Sequence, residues 1–328
     1  MKDGKLLIGL VGAGGMGKVH YANYQKIEGC RVAAVCGASK AEKEMAEKWN
    51  IRHFDTISQM LDAVPVDIAD ICTPTYTHHD LAMESLQRGV HTIVEKPAAL
   101  TAADAAEMFE TAAKHDCQLY VAQVLQFTKD VEKLRELIRT GEFGKPLEAV
   151  FERLSACPEW SAGGWMFDKT KSGLLPYDLH IHDLDVIISL FGKPQSFACS
   201  MAKRDTASYP EDLKVQYIYP KWNVTAEAAW FHARFPFTAR WRVCFEDAVV
   251  TNEGGRMIAY RAGKDPLEYD IRDEVIVSTG INVPPCGMYY NELLHFLECA
   301  RKNVPTPYVT EEQVIAVLQI LEQMEKQI

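Results

Sequence analysis

Residues 177–185 place two imidazoles and three carboxylates within nine consecutive positions. If this stretch is helical, each residue turns about 100°, so Asp178, His182 and Asp185 share one narrow face beside an apolar stripe. A carboxylate one helical turn from a histidine orients the ring and supports its charged form. His182 is therefore a candidate for proton transfer, with Asp178 as its partner. The spacing alone equally allows an ordinary solvated face with two ion pairs.

Metal binding is the other chemistry that this cluster suggests, because histidines and carboxylates are good ligands. On a strand, His180-x-His182 would point both rings to one side, whereas a helical period separates them by about 200°. Asp185 also stands where a third imidazole would be needed. We therefore expect no metal.

Lys96 is a further candidate, because it follows the apolar run of residues 90–94. That position places it at the carboxyl edge of the expected sheet, where ligands bind in open α/β folds. An isolated lysine is usually a solvated surface charge, but Glu95 and Pro97 restrict the backbone on either side of this one. A partly desolvated lysine near a substrate hydroxyl can share or donate its proton.

A glycine-rich turn follows the apolar run of residues 6–11 and has the spacing GxGxxG, with Gly12, Gly14 and Gly17 at its defined positions. Glycines let the backbone approach a pyrophosphate, and the free N–H groups at the start of the next helix favour that charge. The residues expected to bind a dinucleotide here are Gly12, Gly14, Gly15, Met16 and Gly17.

Two domains are expected from the order of the elements. Strands alternate with helices to about residue 122, which predicts an N-terminal, doubly wound parallel sheet. Longer alternating strands then follow one another from residue 147, interrupted by one helix at about 177–191. This pattern predicts an α+β domain. We place the dinucleotide-binding domain at residues 1–124 and the substrate-binding and oligomerisation domain at residues 125–328.

Composition narrows the classes of partner. The chain has 328 residues and a net charge of −10, which argues against a nucleic-acid partner. No apolar run approaches the roughly 20 residues of a membrane span, and the first strand begins too early to leave room for a signal peptide. The nine cysteines form no CxxC pair, as is typical of buried thiols in a reducing cytoplasm. A cytoplasmic protein is expected.

Three of these motifs together resemble the Gfo/Idh/MocA oxidoreductases: the N-terminal GxGxxG, Glu95-Lys96-Pro97, and Asp178-x-x-x-His182-x-x-Asp185. Thr73-Pro74-x-x-x-His78 adds to the resemblance. It implies a Rossmann domain followed by an α+β domain with a large open, mostly antiparallel sheet, through which a homodimer or homotetramer forms. The implied activity is reversible hydride transfer between NAD(P) and a carbinol carbon of a sugar, sugar derivative or cyclitol.

The resemblance also implies roles for individual residues. The catalytic residues would be Lys96, Asp178 and His182, with Asp185 in support. Further cofactor contacts would come from Thr73, Pro74, His78, Glu95 and Lys96. The substrate would contact Lys96, Gln123, Trp165, Tyr177, Asp178 and His182, although core packing is the commoner role of an aromatic residue such as Trp165 or Tyr177.

Two departures from the family pattern limit what can be inferred about the substrate. His180 stands where many members have glycine, and Gln126 stands where an arginine commonly precedes phenylalanine. The identity of the sugar therefore cannot be transferred from a relative, and the role of His180 is open.

The choice of cofactor depends on the residue about 20 positions beyond the glycines, where an acid would bind the ribose 2′-hydroxyl of NAD. Gly37 stands there, so no acid is present. Ser39, Lys40 or Lys43 could hold a 2′-phosphate, although the lysines also suit an exposed helix. We expect NAD or NADP, with a slight preference for NADP.

Two other functions share these motifs. One is an NAD-dependent glycoside hydrolase that oxidises its sugar transiently and keeps its cofactor. The other is a non-catalytic regulator that senses a cofactor, against which the retention of Lys96, Asp178 and His182 argues.

Overall fold

The computed structural model describes residues 4–159, 161–278, 280 and 284–327. The chain forms two compact units. One comprises Met1–Val124 and Glu274–Ile315, and the other comprises Leu125–Asp273 and Ala316–Ile328. The sequence analysis placed all residues after 124 in the second domain, whereas the packing groups 274–315 with the first unit.

The first unit is built on six strands: β1 (Leu6–Val11), β2 (Cys30–Cys36), β3 (Arg52–Phe54), β4 (Ile68–Ile71), β5 (His91–Glu95) and β6 (Leu119–Ala122). One helix lies between each pair of consecutive strands: α1 (Gly15–Tyr24), α2 (Lys40–Trp49), α3 (Ile57–Ala63), α4 (His78–Leu86) and α5 (Ala102–Lys114). The strands form one parallel sheet in the order β3-β2-β1-β4-β5-β6. This order confirms the predicted Rossmann topology, whose strand order reverses beside β1.

The burial of these strands explains why their sequences are mostly apolar. Every residue of β1, β4 and β6 is buried, as expected for a parallel sheet covered by helices on both faces. Side chains of Ser39, Thr56 and Thr101 accept hydrogen bonds from the first backbone N–H groups of α2, α3 and α5. Such caps fix where these helices begin.

The second unit contains the helices α6 (Lys129–Thr140), α7 (Lys169–Ser172) and α8 (Ile181–Phe191). Its eight strands are β7 (Pro146–Ala156), β8 (Ser196–Ala202), β9 (Asp212–Ile218), β10 (Asn223–Phe231), β11 (Thr238–Phe245), β12 (Ala248–Glu253), β13 (Arg256–Arg261) and β14 (Leu267–Tyr269). They form one sheet in the order β14-β13-β12-β11-β7-β10-β9-β8. Only the pairing of β7 with β10 is parallel among these described strands, so the predicted, mostly antiparallel sheet is confirmed.

The two faces of this sheet differ. Helix α8 packs against β7 and β10, and the alternate residues Val224, Ala226 and Ala228 of β10 are apolar and buried. Ion pairs join neighbouring strands elsewhere on the sheet, between Lys214 and Glu227 at 3.6 Å and between Arg242 and Glu148 at 3.0 Å. The alternation of buried and exposed residues is the pattern of a sheet with one face packed on the core.

Two helices end the chain, α9 (Met288–Lys302) and α10 (Glu311–Glu325). Tyr120 on β6 contacts α9 and the residues after it, and these contacts hold that segment in the first unit. Its ring stacks on Phe296 of α9 with centroids 5.2 Å apart, and its hydroxyl donates to the Val304 carbonyl at 2.9 Å. In the part of the chain that the structure describes, no helix has both the length and the apolar character needed to span a membrane.

Candidate functional site

The glycine-rich turn between β1 and α1 leaves backbone groups open at the helix start. A Cβ on Gly12 would lie 2.8 Å from the Cys72 carbonyl oxygen, and Gly12 has a φ of 89°, so this position requires glycine. Gly17 packs against the Gly12 carbonyl so closely that a Cβ would overlap it. By contrast, Gly14 and Gly15 are exposed, and a Cβ on Gly14 would meet nothing within 4 Å. This cradle fits a dinucleotide pyrophosphate.

The loops that follow β4 and β5 lie at the same carboxyl edge of the sheet. Thr73 and Pro74 follow β4, and Lys96, whose peptide bond to Pro97 is cis, follows β5. His78 is buried, and its two ring nitrogens lie 2.8 Å from the carbonyl oxygens of Thr73 and Pro97. Because both ring nitrogens face backbone carbonyls, His78 links the two loops; its expected contact with the cofactor stays a prediction.

The Glu95 carboxylate is held in place by two contacts. Its Oε2 accepts a hydrogen bond from the Lys96 backbone N–H at 3.0 Å, and its Oε1 lies 3.2 Å from His20 Nε2. The other ring nitrogen of His20 lies 2.8 Å from Asp70, which also accepts a hydrogen bond from the Tyr24 hydroxyl at 2.9 Å. All four side chains are buried.

The charge of this network follows from its burial and its carboxylates. Burial alone would lower the pKa of His20, but the adjacent Asp70 and Cys72 side chains together outweigh burial and hold the pKa well above its ordinary value. The sequence analysis missed His20 and Asp70. The only local signal was a histidine three residues beyond Gly17, on the side of α1 that is buried.

His20, Asp70 and Cys72 also bring three possible metal-ligand atoms within 4.8 Å of one another. The 2.8 Å between His20 Nδ1 and Asp70 Oδ2 is a hydrogen-bond distance. Two ligands of one tetrahedral zinc ion would lie about 3.3 Å apart. We interpret this cluster as a hydrogen-bonded network.

Gln123, at the end of β6, is 2% exposed, and its side-chain oxygen has no hydrogen-bond donor among the described residues. Buried carbonyl oxygens in folded proteins are almost always paired, with protein or with water. An acceptor in this state suits contact with a polar ligand or a water molecule.

Ser39 and Lys40, two of the residues expected to select the cofactor, occupy the first turn of α2. The Ser39 hydroxyl accepts a hydrogen bond from Ala41 N at 3.2 Å, and both it and the Ser39 backbone N–H bond to Glu42. Lys40 pairs with Glu44 at 3.1 Å, and its side chain is 89% exposed. Ser39, which caps α2, and Lys40, its first residue, therefore both interact with glutamates of the same helix.

The cluster of residues 177–185 begins with a π-helix rather than an α-helix. Pro176–His180 forms the π-helix, closed by the Ile181 backbone N–H bonding to the Pro176 carbonyl, and α8 continues from it. Between residues 172 and 188 every residue is buried except Asp178 and His182. The helix is thus a core element with two polar residues that are partly exposed, and π-helical turns are common at functional sites.

Asp185, which was expected on the same face, does not share this exposure. It is 0% exposed, and its carboxylate accepts a hydrogen bond from Gln126 Nε2 at 2.5 Å. The Gln126 side-chain oxygen in turn accepts from the Ser189 hydroxyl at 3.0 Å and from Arg135. A residue in a π-turn rotates less than the 100° assumed from sequence, which shifts the later positions relative to Asp178.

Two other polar residues of this segment are core residues. Asp183 accepts two hydrogen bonds from the buried Arg153 guanidinium, at 3.0 and 2.8 Å, which joins α8 to β7. His180 is 0% exposed, and its Nε2 lies 2.6 Å from the Tyr217 hydroxyl on β9. Burial, and then the nearby Arg153 charge, lowers the pKa of His180 to about 3. His180 is a neutral core residue.

The two aromatic candidates differ in exposure. Tyr177 is 1% exposed and lies over Gly173, where a Cβ would meet the tyrosine Cβ at 2.7 Å. This is core packing, the role that the sequence analysis gave as the commoner one. Trp165 is half-buried in the 3₁₀ segment Ala162–Phe167, whose Gly163 and Gly164 have positive φ angles.

Comparison with known proteins adds to this geometry. Residues 6–123 match the family model described as an oxidoreductase family with an NAD-binding Rossmann fold, and residues 131–251 match the GFO/IDH/MocA C-terminal domain. The chain belongs to the Gfo/Idh/MocA oxidoreductase family. This membership confirms the resemblance noted in the sequence.

Several curated relatives are named as dehydrogenases. D-glucoside 3-dehydrogenase of Escherichia coli is 31% identical over 200 residues, which cover 59% of this chain and 56% of the relative. D-apiose dehydrogenase of Paraburkholderia graminis is 25% identical over 84% of this chain and 72% of its own length. Myo-inositol 2-dehydrogenase of Thermotoga maritima is 26% identical over 57% of this chain and 55% of its own length. The first of these relatives is matched over little more than half its length.

Solved structures share the fold. Levoglucosan dehydrogenase in complex with NADH and levoglucosan has a TM-score of 0.83 at 16% identity, covering 98% of each chain. UDP-N-acetylglucosamine 3-dehydrogenase from Acidithiobacillus ferrooxidans has a TM-score of 0.81 at 20% identity, covering 99% of this chain and 98% of the other. At these identities the likeness establishes the fold.

Proposed function

We propose that this protein catalyses the reversible, NAD(P)-dependent oxidation of a carbinol group in a sugar, sugar derivative or cyclitol. The observation that carries the proposal is the burial of residues 172–188, among which only Asp178 and His182 are not buried. Two polar groups kept accessible on an otherwise buried helix suit contact with a ligand. The named activities of the relatives supply the substrate class.

Each of the three catalytic candidates has a distinct task. The bound dinucleotide supplies the acceptor for the hydride that leaves the carbinol carbon. His182 takes the hydroxyl proton, Asp178 orients the imidazole and stabilises its charged form, and the Lys96 ammonium stabilises the developing alkoxide. In the reverse direction His182 returns the proton to the carbonyl oxygen.

The cofactor would be held by the turn and loops of the first unit. The turn of Gly12, Gly14, Gly15, Met16 and Gly17, which is exposed at Gly14 and Gly15, suits the pyrophosphate. Thr73, Pro74 and Glu95 border the same sheet edge, where ligands of open α/β folds bind. Gln123 and Trp165 would contact the substrate, because the first has an unsatisfied buried oxygen and the second is partly accessible.

We also propose a homodimer or homotetramer formed through the open sheet of the second unit. A groove on that sheet is lined by charged and polar side chains of β7, β11 and β12, including Glu152, Arg240 and Asn252. We place the protein in the cytoplasm, because its nine cysteines are all free thiols, as in a reducing compartment.

The test is an absorbance assay at the reduced-nicotinamide band, with NAD and NADP against a panel of sugars, sugar acids and inositols. We expect at least one sugar or cyclitol to be oxidised, and His182→Ala to lower kcat by about 10²–10⁴-fold. Its Kd for dinucleotide should stay the same.

His232→Ala is the matched control, because His232 is an exposed histidine of the same unit and should keep the wild-type rate. Wild-type kcat in His182→Ala would remove this residue from the mechanism. Loss of dinucleotide binding together with activity would mean that His182 is structural.

A further inference from the structure

Gly37, at the position where an acid would bind the ribose of NAD, has its side-chain space filled by another residue. It follows directly after β2. A Cβ built on Gly37 would meet Glu42 Cδ at 2.9 Å and Glu42 Cβ at 3.2 Å, and it would overlap Glu42 Cγ. The Glu42 side chain therefore crosses the volume that an aspartate or glutamate at position 37 would occupy.

The Glu42 carboxylate points to the sheet edge next to the glycine-rich turn. Its Oε1 lies 3.4 Å from the backbone N–H of Ala13, the residue after Gly12. Its Oε2 accepts a hydrogen bond from the Ser39 backbone N–H at 3.2 Å. Because β1 and β2 are parallel neighbours, with Val11 opposite Cys36, the ends of both strands lie beside this carboxylate.

We propose that Glu42 supplies the acid that position 37 lacks, and that it makes the protein selective for NAD over NADP. The inference rests on the proposed function, whose cofactor it specifies. In dinucleotide-binding folds, a carboxylate at the end of this strand accepts hydrogen bonds from the ribose hydroxyls. The same carboxylate repels a 2′-phosphate, which carries a charge of about −1.5 to −2.

Two of the three side chains that could favour NADP have other partners. The Ser39 hydroxyl bonds to Glu42, and Lys40 pairs with Glu44 away in solvent. The slight preference for NADP expected from the sequence depended on these two residues and on Lys43, which is exposed.

A purely structural role for Glu42 is the competing explanation, because it completes the capping box of α2 with Ser39. Glutamine serves equally well at this capping position. Glu42→Gln therefore keeps the helix start and removes only the charge. Any change in cofactor preference in this variant comes from the carboxylate and not from the cap.

The experiment measures Kd for NADH and NADPH by fluorescence titration without substrate, together with the Tm of each variant. The wild type should bind NADH at least about 10-fold more tightly than NADPH, in line with the strength of hydrogen bonds to a charged group. Glu42→Gln should reduce that ratio by about 10-fold with an unchanged Tm. Glu47→Gln, an exposed acid further along the same helix, is the control and should leave the ratio unchanged.

A wild type that prefers NADPH, or a Glu42→Gln variant that keeps the wild-type ratio, would overturn the inference while leaving the dehydrogenase proposal intact. A wild type that binds neither dinucleotide would overturn the proposed function, and this inference with it.

Discussion

His180 should make the second unit lose stability as the pH falls below neutral. It is 0% exposed, and burial together with the Arg153 charge lowers its pKa from 6.5 to about 3. In the unfolded chain the same imidazole takes up a proton near its ordinary pKa. Between these two values the unfolded state binds a proton that the folded state does not.

The sign and size of the effect follow from this difference. Because the folded-state pKa is the lower one, the contribution of neutral His180 is complete above pH 6.5 and declines as the pH falls towards 3. A pH of 5 lies about 1.5 units below the pKa of His180 in the unfolded chain. This difference corresponds to a loss of about 2 kcal/mol in the free energy of unfolding.

Replacement of His180 by glutamine removes the titrating group and keeps an acceptor for the Tyr217 hydroxyl. The free energy of unfolding of wild type and His180→Gln would be measured in urea at pH 7.5 and 5.0. Tryptophan fluorescence is a suitable probe, because Trp49 is the only one of the six tryptophans that precedes residue 125. Acidification should cost the wild type about 2 kcal/mol more than the variant.

Other groups that titrate in this range are common to both proteins, so their contributions cancel when the two pH dependences are compared. Equal pH dependence in wild type and His180→Gln would refute the reasoning, because it would mean that the buried imidazole titrates normally. A larger loss in the variant than in the wild type would refute it as well.

Two further predictions concern single side chains. Lys96→Ala should lower kcat by about 10²–10³-fold, because it removes the cation assigned to the alkoxide; a wild-type rate in a steady-state assay would take Lys96 out of the mechanism. Arg153→Met should destabilise the second unit by about 3–5 kcal/mol in urea unfolding, because it leaves the Asp183 carboxylate buried and unpaired. Adding Asp183→Leu should recover most of that loss, and a double variant as unstable as Arg153→Met would contradict this account of the pair.

Local patterns predicted the parts of the fold that depend on neighbours in sequence. The GxGxxG turn, the strands before and after it and the Glu95-Lys96-Pro97 turn are each specified within a few residues, and the structure places them at one sheet edge. The short β3 and α3 were missed, because three and seven residues carry little periodic signal. The return of residues 274–315 to the first unit depends on tertiary contacts of Tyr120, which no local pattern shows.

The site was less predictable for physical reasons that individual residues illustrate. His20 and Asp70 are 50 positions apart, and only the parallel sheet brings them together beneath Glu95. The burial of Asp185 was not expected, because the π-helix at Pro176–His180 changes the angular spacing that the sequence analysis assumed. Glu42 was overlooked because its importance arises from folding back over Gly37, five positions earlier, and not from its own place in a motif.

The most direct test of the proposed chemistry follows a labelled hydrogen. A substrate found in the panel would be prepared with deuterium on the carbinol carbon and oxidised by the wild-type protein, and the reduced dinucleotide would be analysed by mass spectrometry. The account predicts one deuterium in each reduced nucleotide and none released to water. Reduced nucleotide without the label, or label recovered in the solvent, would contradict it.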